Sequence, residues 1–174
     1  MQESSLPSDS AILYHVCAMP IAGGPYLSCA FFCDRVLQEH DQVLSAIRIV
    51  DRWTVNGAAD TMPTTVLQTT LVIAMKSGIY RGNAQLSVTP ITPSDSRLPA
   101  AVFPVLFEAD DERGVGVVLP MGFPAQEPGL YWFEVSLALQ GMRPQVITAI
   151  PMRVAYLQMV SAPRPDQPSQ NGPA

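Results

Sequence analysis

Residues 129–139 read Gly129-Leu130-Tyr131-Trp132-Phe133-Glu134-Val135-Ser136-Leu137-Ala138-Leu139. From Tyr131 to Leu139 every second residue is large and apolar, while Trp132, Glu134, Ser136 and then Gln140 hold the opposite parity. Successive side chains of a strand point to opposite faces, so a period of two gives one buried face and one wet face. An amphipathic helix would instead need apolar residues three and four apart. The stretch is therefore a strand of a half-buried sheet, the kind that antiparallel proteins stack in pairs.

The pattern extends in both directions from this strand. Gly141-Met142-Arg143-Pro144 turns the chain into a last strand over about 145–157, and Pro151 inside it predicts an edge or a bulge there. Upstream, short β-branched and aromatic runs predict strands over about 27–37, 42–55, 65–75, 84–89, 101–107 and 114–120. Turn residues at 38–41, 56–63, 77–83 and 108–113 separate them, with Pro-containing loops at 90–99 and 120–128. Seventeen prolines and eleven glycines leave no helical stripe of useful length. About eight strands fit two stacked sheets, placed at residues 27–160. Residues 1–26 read as an N-terminal arm, with 10–19 either an extra strand or a short helix. Residues 161–174, with four prolines, read as a disordered tail.

Residues 127–135, Glu-Pro-Gly-Leu-Tyr-Trp-Phe-Glu-Val, resemble the penultimate strand of immunoglobulin-like sandwiches. The resemblance implies that the Tyr131 hydroxyl tucks against the preceding corner. Phe133 stands at the usual cysteine position, so no inter-sheet disulfide is implied. The early hairpin is similar to a family of uncharacterised small bacterial β-sandwich proteins. There a "CD" strand precedes a "GKxxxxGIFD"-like strand and the chain closes on "GxYxFxV". Here these correspond to Cys33-Asp34, to Leu44-Ser45-Ala46-Ile47-Arg48-Ile49-Val50-Asp51-Arg52, and to the strand at 131–135. The family's glycine in the second strand is missing, with Ala46 or Ile47 in its place. The implied fold is an all-β, immunoglobulin-like antiparallel β-sandwich of roughly seven to nine strands. The resemblance brings no activity with it.

Composition narrows the function. Hydrophobic residues make up 48% of the 174 and charged residues 14%, ample for a core and sparse for a surface. So little charge predicts that part of the surface is covered by another copy or a partner. The net charge is −5 and the ten basic residues are scattered singly, which disfavours nucleic acid. Acidic Glu3 and Asp9 and the absence of a long apolar run argue against a leader or a spanning helix, so a cytoplasmic protein with no membrane role is expected. Three cysteines, Cys17, Cys29 and Cys33, fit reduced thiols.

Catalytic and metal chemistry find weak footing. His15, Cys17, Cys29, Cys33 and His40 are conceivable metal ligands, but Cys29 and Cys33 are four residues apart on a strand, about 13 Å, too far for one tetrahedral ion. Cys33 lacks the imidazole partner a nucleophile needs. Asp110-Asp111-Glu112 lack the spacing of a calcium loop and read as a charged turn. Gly23-Gly24 and Gly114-Val115-Gly116 do not sit between a strand and a helix, so neither reads as a phosphate loop. No catalytic residue, cofactor or metal is expected.

The expected function is a non-catalytic interaction or assembly module, a homo-oligomer or a partner-protein binder, using a sheet face or edge. The alternative is a small-ligand sensor with a pocket framed by the loops at 90–99 and 120–128. Trp132, on the wet face, is a candidate anchor. Asp34, Arg48, Asp51 and Arg52 form a candidate polar patch, whose plainer role is an ion pair fixing the register of the early hairpin.

Overall fold

A computed structural model describes residues 21–40, 43–108 and 114–159. The alternation that begins at Tyr131 is realised in full. Tyr131, Phe133, Val135, Leu137 and Leu139 are buried, while Trp132, Glu134, Ser136 and Ala138 lie half-buried on the other face.

Among the described residues there are nine strands. They are β1 (Tyr26–Gln38), β2 (Leu44–Val50), β3 (Arg52–Gly57), β4 (Thr65–Lys76), β5 (Gly82–Ile91), β6 (Ala101–Phe107), β7 (Gly114–Ala125), β8 (Gly129–Leu139) and β9 (Gln145–Gln158). They form a β-sandwich: a four-stranded sheet in the order β2-β1-β4-β7 and a five-stranded sheet in the order β3-β9-β8-β5-β6. The core between them is aromatic at its centre. Phe32 of β1 and Phe123 of β7 both meet Phe133 of β8, with ring centroids 4.7 and 4.9 Å away in edge-to-face contact.

Three expectations are corrected. The strand expected over 42–55 is two strands in different sheets. β2 pairs with β1, the chain bends at Asp51, and β3 pairs with β9. The β3–β9 pair is parallel, so the sandwich is not wholly antiparallel. An alternating stretch cannot announce this switch, because both halves bury one face. The strand expected to stop at 120 runs to Ala125, through Pro120 and Pro124. It can do so because, among the described residues, β7 is the outermost strand of its sheet. Two prolines four residues apart both direct their nitrogen toward one side, and the open edge asks for no donor. The loop expected over 120–128 accordingly shrinks to 126–128.

Pro151 follows the same logic. Arg153 N–H donates to Asp51 O at 2.9 Å, toward β3. The Pro151 nitrogen, two residues earlier, faces that same side, where β3 has not yet begun to pair. The strand is locally an edge there, while its bulge lies further back, opposite Val135–Ser136. Residues 10–19, the acidic turn at 110–112 and the tail at 161–174 lie outside the described residues.

Candidate functional site: the outer face of the five-stranded sheet

The residues singled out from sequence fall in two places. Asp34 and Arg48 face each other across the β1–β2 hairpin, Arg48 Nε lying 2.9 Å from Asp34 Oδ2. Beside them the Thr69 and Thr70 hydroxyls donate to the carbonyls of Cys33 and Asp34, where β1 parts from β4. Neither carboxylate of the patch is buried: Asp34 is 30% exposed at its side chain and Asp51 is exposed. Arg48 has a φ of 55°, in the left-handed region. The conformation that a glycine would favour thus falls at Arg48, immediately before Ile49-Val50-Asp51, not at Ala46 or Ile47.

Arg52 and Trp132 belong to the other sheet, so Arg52 stands apart from the Asp34–Arg48 pair of the expected polar patch. Trp132 lies on the outer face of β8, flanked across the strands by Ile91 and Pro151. Arg52, on β3, points to that same outer face, because its neighbours Trp53 and Val55 pack inward.

That outer face exposes several large apolar side chains. Val102 (50% exposed), Leu106 (54%), Leu130, Val146 and Leu157 (56%) all lie on it. The Ser87 and Ser136 side chains link Val102 to Val146 in one row across four strands. Polar side chains stand between them: Asn83, Gln85, Ser87 and Thr89 on β5, Ser136 on β8, and Thr54 and Asn56 on β3. Glu134 is held by the Arg97 guanidinium, and Arg153 stands beside Arg52 in the β3–β9 register. Arg153 was not legible as a site residue, because a parallel register between residues a hundred positions apart leaves no local pattern.

Strand one is apolar on both faces, as read. Phe32 enters the core, and Phe31 aligns with Val72 and Val118 on the outer face of the four-stranded sheet. Cys33 lies on that same outer face and is fully shielded, whereas Cys29 is exposed. Burial first, and then the Asp34 charge, push the Cys33 thiol up, opposite to the direction a nucleophile requires. Among the described residues no three His, Cys, Asp or Glu side chains cluster as metal ligands, and no helix is long and apolar enough to cross a membrane.

The loops expected to frame a pocket close on each other instead. Ser94 N–H donates to Glu127 Oε1 at 3.0 Å, and Ser96 N–H to Thr92 Oγ1. Hydrogen bonding from Ser94 holds the Glu127 carboxyl below its ordinary value. A cavity of about 580 Å³ lies elsewhere, lined by Ile21, Gly24, Ile79, Arg81, Leu139 and Met142 among others.

The sheet edges offer little to a partner strand. Pro104 interrupts β6, Pro120 and Pro124 interrupt β7, the left-handed Arg48 distorts β2, and β3 spans only six residues. Neither a scan of protein-family models nor a search of curated proteins finds a match to this chain.

Proposed function

We propose that this domain is a non-catalytic protein-interaction or assembly module, cytoplasmic, that docks a partner protein or a second copy on the outer face of its five-stranded sheet. The observation that carries the reading is the set of five large apolar side chains exposed together on that face. Five strands about 4.8 Å apart and about ten residues long offer on the order of 800 Å², close to the roughly 800 Å² per partner of a standard interface. The blunted edges favour the face over strand addition. The strand order, with β3 parallel to β9, and the Tyr131 hydroxyl against residues 126–127 support an immunoglobulin-like lineage, which by itself implies no activity.

Native mass spectrometry of the full chain, gently purified from its own host, tests the reading. A stoichiometric partner or homo-oligomer that is lost in Leu106→Glu with Val146→Glu supports it. A clean monomer, or an assembly indifferent to those substitutions, overturns it.

The cavity supports a second reading, a small-ligand sensor. Its volume suits a small molecule, and one side of its rim is tied by a backbone hydrogen bond. Ile79 N–H donates to Gly23 O at 2.8 Å, and a Cβ on Gly78 would meet the same oxygen. A metabolite that raises the melting temperature, with loss of that effect in Met142→Trp, would favour this reading.

A further inference from the structure

Arg52 and Arg153 are register partners in the parallel β3–β9 pair, side by side on the outer face and both exposed. Like charges on adjacent strands repel. Among the described residues neither forms an ion pair with an acid, not even with Asp51 next to Arg52. The row continues across β9 to Leu130, which faces Arg153. The adjoining row holds Pro151 and Trp132, and Leu157 lies beyond on β9. Two cations that make no ion pair among the described residues thus stand beside the apolar Leu130, Pro151 and Trp132, on a chain whose net charge is −5.

We infer that this corner binds an acidic protein segment that also carries an aromatic or large aliphatic side chain. A carboxylate of the segment spans the two guanidiniums, which suit bidentate hydrogen bonding. Its apolar side chain rests on Leu130, Pro151 and Trp132. The apolar flank, which a bare polyanion or a lipid headgroup cannot use, is what selects a protein segment. The inference rests on the face being an interaction surface, and it names the chemistry of the partner.

Binding of the full chain to immobilised random copolymer of glutamate and tyrosine, with polyglutamate and heparin alongside, tests it. The copolymer should bind, more weakly as salt rises, and both other polyanions should bind clearly less. Arg52→Glu with Arg153→Glu should weaken the copolymer by roughly tenfold to a hundredfold, Arg52→Gln with Arg153→Gln by less, with unchanged urea midpoints reporting an intact fold. No copolymer binding, or binding within about twofold of wild type after charge reversal, overturns the inference. Equal binding of heparin makes the corner a general anion site and overturns it too. If the assembly responds to Leu106→Glu with Val146→Glu but not to charge reversal, the face stands and the acidic partner falls. If only charge reversal acts, on the copolymer, the acidic corner stands and the wider face falls.

Discussion

Tyr131 shows how much one residue carries. Its ring is fully buried against Phe123, and its hydroxyl donates to Glu127 O at 3.0 Å while accepting from the N–H groups of Gln126 and Glu127. Tyr131→Phe keeps the packing but orphans those backbone groups. The expected loss is about 1–3 kcal/mol, read as a lower urea midpoint with an unchanged slope. A smaller loss would mean that water replaces the hydroxyl. The cysteines divide just as sharply. In the native protein a thiol reagent should modify Cys29 and spare Cys33, whose raised thiol is both shielded and short of thiolate. Peptide mapping checks this, and Cys33 modified at the rate of Cys29 would show that the strand opens locally. The tyrosine's role was implied by the resemblance of residues 127–135 to the penultimate strand of immunoglobulin-like sandwiches. The cysteines' roles were not legible in the sequence, since alternation cannot tell a central strand from an edge.

At the scale of elements, β2 departs from a regular strand at Arg48. The left-handed backbone there costs an L-residue roughly 1–2 kcal/mol, while its exposed ion pair with Asp34 returns about 0–1 kcal/mol. Arg48→Gly should therefore leave stability unchanged or raise it by up to about 2 kcal/mol. Arg48→Val should lower it by about 1–3 kcal/mol, since a branched side chain tolerates that φ least. Equal losses in both variants would show that the ion pair outweighs the backbone. The junction of the β5–β6 and β7–β8 loops has a pH signature. Glu127 is lowered in the folded state, so the folded protein binds fewer protons than the unfolded chain as the carboxylate range is crossed. Its contribution is present above the ordinary glutamate value and is lost as pH falls through the lowered one. Glu127→Gln should flatten the acid limb of a pH-stability curve, and a limb of unchanged slope would assign it to other carboxylates. The first loop was foreseen from its prolines, whereas Pro120 and Pro124, read as part of the second, lie in β7. The mutual closure of the two loops was not foreseen, because Ser94 and Glu127 are 33 residues apart.

For the whole molecule, inner and outer faces should answer mutation in opposite ways. Phe133→Ala opens the centre where both sheets meet and should cost about 3–5 kcal/mol, enough to lower the yield of folded protein. Leu106→Glu on the outer face should change stability by no more than about 0.5 kcal/mol, as calorimetry of the two variants would show. A comparable loss from Leu106→Glu would mean that this face is folded into the domain itself. Local pattern alone was enough to read an all-β fold, a half-buried β8 and the β8 residues that enter the core, because a period of two is a local property of backbone geometry. Only the tertiary structure decided that the early strand breaks at Asp51 and changes sheet, that β3 runs parallel to β9, and that Arg52 therefore stands beside Arg153. Those are matters of which strands pair and in what register. Pairing is settled by packing the two sheets over one core, between residues far apart in the chain, where no short stretch of sequence holds both partners.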